Sequence, residues 1–461
     1  MSDSNPKDPL NRLSRREFLR RSALLGGAAM FMPRLSLPYQ PNPQLLAKQE
    51  NIELQFWHQW GGPPNSTALE EVAAKFNKLY PNVTVKLTNI SDQAQIATAI
   101  GAGTPPDVVH FVLSDAVPEY AHRGSLIDLT DRLAKDVPDW KDKVYWYVPE
   151  VGTYNGKVYA LASANFNVML LWNADIFKEN GIDKPPATLE DLTALAEKLN
   201  VMDSAGNIQR LGFVPDYPGF GNGQICNMIL YGWAFGGNWY DPDTKKITAN
   251  DPKNIEALKW EASFYEKIGA QKLVNFVKSA GGYLTEQDLF RSGKVAMVYD
   301  GIWNIVFPSA DLPFNKTTIQ AGGFPAPKDN PDMFGVSFAD SDPICLPTGC
   351  PHPDEAWEFL KFHAFDPDSA SAFAQVVANP SQLKVHPKFP LEDDVRFQWS
   401  AKQQDLKSQR VVPRIAVAHA YVSKLNDAEQ SVLLGQATAE DALNQVTQEV
   451  QDLLDAAGEP M

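Results

Sequence analysis

Tyr154-Asn155-Gly156-Lys157-Val158-Tyr159-Ala160-Leu161-Ala162-Ser163-Ala164-Asn165-Phe166-Asn167-Val168-Met169-Leu170-Leu171-Trp172-Asn173 reads as three pieces. Asn155-Gly156 is the dipeptide of a tight β-turn, whose two central residues need positive φ, and strand-formers flank it. Residues 163–167 form a polar gap, and 168–172 an apolar run with the length and composition of a buried strand. Polar side chains set between two β segments predict a crossover between two lobes, with Asn165 and Asn167 as ligand contacts on it.

The pattern on either side supports two lobes. Ile52, Leu54 and Phe56 alternate as a strand, and Leu69, Val72, Ala73, Phe76 and Tyr80 share one helix face. Val83, Val85 and Leu87 form the next strand, residues 96–102 a helix, and 107–112 another strand. This βαβαβ order implies an open, mostly parallel sheet whose ligands lie beyond the strand C-termini, here the loops 57–62 and 111–115. After the crossover, helices are expected at 174–180, 189–199 and 225–235, and a strand at 211–214 followed by the loop 216–223. A strand at 295–299 leads into Asp300-Gly301-Ile302-Trp303, and a strand at 319–324 carries the chain back. The last quarter is helical over 415–434 and 441–454. The lobe boundaries that follow are 51–160 plus 325–370 for the first and 161–324 plus 371–461 for the second.

A chain of 461 residues with 44% hydrophobic residues can fill two α/β cores. Its net charge is −15, and the first 50 residues are basic, so the body is more acidic still and repels polyphosphate. No nucleic-acid partner is expected. Ser14-Arg15-Arg16-Glu17-Phe18-Leu19-Arg20 precedes an apolar run over residues 23–32 that is shorter than the roughly 20 residues of a spanning helix. Residues 1–32 therefore resemble a twin-arginine export signal, which places the protein in the periplasm or on the surface of a prokaryote. The Pro-rich residues 33–50 read as an extended tether. Cys345 and Cys350 flank a four-residue loop that either closes as a disulfide or leaves two thiols, and Cys226 sits in an apolar helical pattern. No metal site is expected, since two thiols without a matching His or Cys pair do not complete a tetrahedral set.

Catalytic signatures are absent. There is no Gly-x-Ser-x-Gly, no His-Glu-x-x-His, and no Gly-Lys followed by Ser or Thr, so no catalytic residue and no cofactor are assigned. Asp241 and Asp243 stand in a turn whose Lys245 and Lys246 replace the oxygens a calcium loop needs. What remains is aromatic residues beside amides and carboxylates at predicted loop tips: His58, Gln59 and Trp60; Phe111 and Asp115; Asn165 and Asn167; Asp216 and Tyr217; Trp303; and Phe338, Asp340 and Ser341. A sugar presents apolar C–H faces and a rim of hydroxyls, so a site for it combines flat rings with short polar groups. The competing reading is that these rings are core, and it weighs most on Trp57, next to an apolar strand.

Further motifs complete a pattern in this order: Phe76-Asn77 with Tyr80-Pro81-Asn82-Val83, Gly103-Thr104-Pro105-Pro106-Asp107-Val108-Val109, Gly124-Ser125-Leu126-Ile127-Asp128-Leu129, Leu171-Trp172-Asn173, Gly293-Lys294-Val295-Ala296-Met297, Pro325-Ala326-Pro327, and Gly435-Gln436-Ala437-Thr438-Ala439-Glu440-Asp441-Ala442-Leu443. Over residues 51–455 the chain resembles the extracellular solute-binding proteins of family 1, the sugar receptors of ABC importers that include the maltose-binding proteins. The resemblance implies an α/β, periplasmic-binding-protein-like clamp of two α/β lobes joined by crossover hinges, with a helical C-terminal segment. It implies a monomer that holds a carbohydrate between the lobes and delivers it to permease subunits of an ABC transporter; the alternatives are a polyol or other non-sugar solute, or a carbohydrate-cleaving enzyme. By position it adds Arg414 and His419, where the C-terminal helices of relatives reach the cleft. Trp172 stands where relatives have tyrosine, and Phe338-Ala339-Asp340 replaces a glycine-rich loop.

Overall fold

The computed structural model describes residues 39–48, 50–61, 65–90, 92–217, 227–279, 281–305, 318–377, 381–388 and 390–458. The leader (1–32), Cys226 and most of the loop 216–223 lie outside the described residues.

Strand β1 (Ile52–His58) buries Ile52, Leu54, Phe56 and His58 on one face, the period of two that its sequence carries. It pairs in parallel with β2 (Val83–Asn89) and β3 (Val108–His110), and His58 stands in register with His110. The Asn-Gly turn closes a hairpin between β4 (Thr153–Tyr154) and β5 (Lys157–Val158), with φ of 46° at Asn155 and 73° at Gly156. Next come β6 (Ala160–Phe166) and β7 (Val168–Asn173), separated by Asn167 alone. Every residue of β6 is buried, so the expected polar gap is itself a strand.

Strands β8 (Val201–Met202) and β9 (Ile208–Phe213), a hairpin of β10 (Tyr240–Asp241) and β11 (Lys246–Ile247), and β12 (Val295–Gly301) follow. The chain continues through β13 (Ile319–Gly322), β14 (Ser337–Phe338), β15 (Asp340–Cys345) and β16 (Gln409–Arg410). Two five-stranded sheets result, ordered β2-β1-β3-β15-β6 and β13-β7-β12-β9-β8. The change of sheet thus falls at Asn167, whereas the sequence suggested 160/161. The chain returns when β13, antiparallel to β7, is followed by β14 and then β15, which lies antiparallel between β3 and β6. A third passage lies between Leu383, in the first core, and the helix Val395–Gln403, whose Arg396 Nη1 donates to Ile319 O (2.9 Å); β16 then pairs with β14, and Arg410 O accepts from Ala339 N (2.7 Å).

Each sheet has its own core. On the first, Phe56 and Phe76 both pack against Phe359, at 5.4 and 5.2 Å between centroids, under the helices Asn65–Leu79 and Pro353–Phe365. The helix Pro367–Val377 also packs on this lobe, against Asn65–Leu79 and β6, so the boundary suggested at 370/371 falls inside a helix. On the second, Phe213, Tyr231, Tyr299 and Phe324 interleave their rings. Residues 39–48 correct the extended-tether reading. Leu45 is core, the Tyr39 hydroxyl bonds Tyr80 (2.8 Å) and Glu358, and Lys48 pairs with Glu355, which seats this segment on the first lobe. The disulfide weighed for Cys345 and Cys350 is not formed. Cys345 packs with Val109 and Ala160 inside the first sheet, while Cys350 lies near Asp107, and both are free thiols.

Candidate functional site

The C-terminal ends of β1 and β3 on one lobe, and of β9 and β12 on the other, deliver most of the polar candidates. On the first lobe, Asp115 precedes the helix Ala116–His122, and its carboxylate meets His419 Nδ1 at 3.0 Å. His419 stands in the first turn of the helix Ala418–Leu433, which packs on the second lobe's helices and also touches Ala116–His122. Arg414 Nη1 donates to Ser114 O (2.7 Å) and Oγ (2.9 Å), and Nη2 to Val151 O (2.6 Å). Asp340 joins this group. Burial pushes its carboxyl up to about 6, while the Ser114 hydroxyl and the Arg414 charge pull the other way. The bond to Asp115 raises His419 above its ordinary value, and burial lowers Arg414 to about 10. Asp115, Asp340, Arg414 and His419, scattered in the sequence, are thereby one cluster at the seam of the two lobes.

On the second lobe, β12 ends in Asp300 and Gly301 and turns through the 3-10 helix Ile302–Ile305. Trp303 stands on that turn, partly exposed, with the edge of Phe166 from the crossover 6.2 Å away at 81°. Its Nε1 donates to the Tyr283 hydroxyl (2.7 Å), which donates to Asp300 (2.8 Å). Asn304 Nδ2 and Gly301 N complete the Asp300 shell, each at 2.8 Å. Tyr217 donates to Asp288 at 2.5 Å, and Asp216 accepts from Tyr265. Burial pushes both Asp216 and Asp300 up to about 7. The buried guanidinium of Arg291 donates to Asn304 O beneath the turn. Tyr283, Asp288, Arg291, Asp300 and Asn304 were not singled out in the sequence. The signal available was Asp300-Gly301-x-Trp303 at a strand's C-terminal end, with no mark on the partners.

Other candidates stand elsewhere. Trp60, 6% exposed, packs edge-on against His110 (4.8 Å, 72°) and is held at its carbonyl by Asn89, so it closes the first core. His58 is buried beside it, and Gln59 Oε1 accepts from Val112 N at 3.1 Å. Phe111 packs on Tyr120 and Phe338 on Trp233. Ser341 is buried in β15, opposite Asn165. Asn165 donates to Gln404 Oε1 (3.1 Å). Asn167 donates to Ser400 O (2.8 Å) and Gln403 Oε1 (3.1 Å), and accepts from Ser400 Oγ (2.6 Å). These two asparagines therefore tie the crossover to residues 400–404. A groove of about 730 Å³ between the helices Leu189–Leu199 and Pro252–Ile268 shares none of these residues, and its Glu197 and Glu256 are already paired with lysines.

Comparison with known proteins gives this geometry its context. A curated relative, an uncharacterized ABC transporter extracellular-binding protein of Pyrococcus horikoshii, is 25% identical over 397 residues, covering 82% of this chain and 83% of its own. The maltotriose-binding protein of Pyrococcus abyssi is 24% identical over 314 residues, covering 68% and 62%. Among solved structures, CpMnBP1 with mannobiose bound superposes with a TM-score of 0.76 at 28% identity, over 87% of this chain and 100% of that one. The sequence profile of the bacterial extracellular solute-binding proteins matches residues 71–389. With two α/β lobes, three passages between them and polar clusters facing the seam, the chain belongs to the bacterial extracellular solute-binding proteins.

Proposed function

We propose that this protein is an extracytoplasmic receptor that binds a mono- or oligosaccharide between its lobes and hands it to the permease of an ABC importer. The observation that carries the reading is Trp303: an indole at the C-terminal end of a central strand, partly exposed, with the edge of Phe166 from the crossover against it. Such a ring offers a sugar's C–H face a flat apolar partner. The mannobiose and maltotriose named for two similar proteins support a carbohydrate. Ligand contacts made by both lobes exist only when the lobes are together, so binding shifts the population toward closure. The chain acts as a monomer, exported by its twin-arginine-type leader, and carries out no bond cleavage.

A thermal-shift screen over mono- and oligosaccharides tests this. A ligand at 100 times its Kd stabilises by about 2.7 kcal/mol, so the melting temperature rises clearly for at least one sugar, which is recovered intact afterwards. If only a polyol or other non-sugar solute raises it, the carbohydrate reading is wrong; if the sugar is cut, the receptor reading is.

A further inference from the structure

Trp303 does not hold its own plane. Gly301, two residues earlier, comes so close that a Cβ there would lie 2.0 Å from the indole, so the ring rests directly on the backbone of the strand end. Phe166 meets it with an edge. Both contacts are apolar: they pack the ring's face and edge without engaging its one polar atom. The directional contact is at Nε1, which donates to the Tyr283 hydroxyl at 2.7 Å. A phenol hydroxyl donates one hydrogen bond and accepts others. Here its single hydrogen goes to the Asp300 carboxylate, at 2.8 and 2.9 Å from the two oxygens, which leaves its lone pairs turned toward the indole. Asp300 in turn is fully buried and fixed by Gly301 N and Asn304 Nδ2. The Asn304 carbonyl is held by Arg291. The chain of bonds therefore begins and ends on one turn: Asp300 and Trp303 flank Gly301, and Tyr283, from a separate segment, clamps them together.

We infer that Tyr283, oriented by Asp300, is the positioning residue that sets the plane of the Trp303 platform for the sugar. The inference rests on the carbohydrate reading only for its binding half; the orientation half needs no ligand. It assigns Tyr283 no contact with the sugar. Hydrogen bonds within such a chain polarise one another, and loss of the middle member frees both ends.

The test is ¹⁹F NMR on protein labelled with 5-fluorotryptophan, with the Trp303 resonance identified by its loss in Trp303→Phe, alongside calorimetric titration with the sugar found by thermal shift. Tyr283→Phe keeps the ring and the packing but removes the acceptor of the indole N–H. It is expected to shift or broaden the Trp303 resonance in the ligand-free protein and to raise Kd about tenfold. Asp300→Asn, which keeps an acceptor for Tyr283, is expected to stay near wild type in both readouts, and Asp300→Ala to repeat the Tyr283→Phe result. An unchanged Trp303 resonance in Tyr283→Phe overturns the inference, and so does a changed resonance with Kd within twofold of wild type. If no sugar binds the wild-type protein, the carbohydrate reading fails, and the resonance still decides whether Tyr283 holds the ring.

Discussion

Asp216, Asp300 and Asp340 lose hydration on folding, and burial leads the causes that push their carboxyls up, to about 7, 7 and 6. Burial pushes the imidazoles of His58, His110 and His363 down, the last to about 3. The signs oppose one another below the ordinary histidine pKa of about 6.5, where unfolded imidazoles take up protons that the folded ones refuse. That opposition fades over about a unit above it as the unfolded imidazoles lose their protons, and by about pH 7.5 these histidines contribute little slope. The carboxyls bind their protons more tightly in the folded state, so the stability they give is full below the ordinary carboxylate range and is lost as pH rises through about 7. His419, raised by Asp115, loses its contribution in the same direction. Melting temperature is therefore expected to fall between pH 7 and 8, by about 2–4 °C for each kcal/mol lost; a flat or rising profile in calorimetry contradicts this. The position of Trp303 could be read in the sequence because a glycine and a strand end precede it. Trp60 could not be placed in the same way: an aromatic residue after a strand looks alike whether it turns outward or, as here, closes over His110. Asp300 could be read only as the acid before that glycine, one of 56, with nothing to mark its buried partners.

The element that decides the architecture is the run from β4 to β7. Its Asn-Gly turn was legible because few residues accept positive φ at successive positions. Its polar gap was not, because the partners that let Ser163, Asn165 and Asn167 stay buried come from far along the chain. Ser163 Oγ meets His363 Nε2 at 2.6 Å, and the asparagines meet residues of the helix Val395–Gln403 and its end. Local pattern cannot supply such partners, so buried polar strand residues read as a break. The same contacts make Asn167 the pin of the crossover rather than a free ligand contact. Asn167→Ala strands the Ser400 carbonyl and hydroxyl and the Gln403 amide in a buried site, at about 1–3 kcal/mol for each group left without a partner. Chemical denaturation should show a loss of about 3 kcal/mol or more; a loss under 0.5 kcal/mol would mean that the crossover does not depend on it.

At the scale of the molecule, two sheets with separate cores are joined by the Asn167 crossover, the β13-to-β15 return and the passage between Leu383 and the helix Val395–Gln403. The alternation of strands and helices made two lobes legible. The exact changes of sheet were less so, because hydrophobic pattern marks where strands are and not which sheet receives them. The seam also carries the cluster of Asp115, Asp340, Arg414 and His419, whose members lie up to some three hundred positions apart in the chain and meet only after both lobes form. Three narrow passages between two independently packed bodies are the arrangement in which hinge motion costs little core packing. The central claim is that a sugar seated on Trp303 draws these bodies together. Small-angle X-ray scattering of the wild-type protein and Trp303→Ala, each without and with the sugar of largest thermal shift, measures this directly. The radius of gyration is predicted to decrease with sugar in the wild type and to stay unchanged in Trp303→Ala at the same concentration. A wild-type protein that binds the sugar without compaction, or a Trp303→Ala protein that compacts equally, would contradict it.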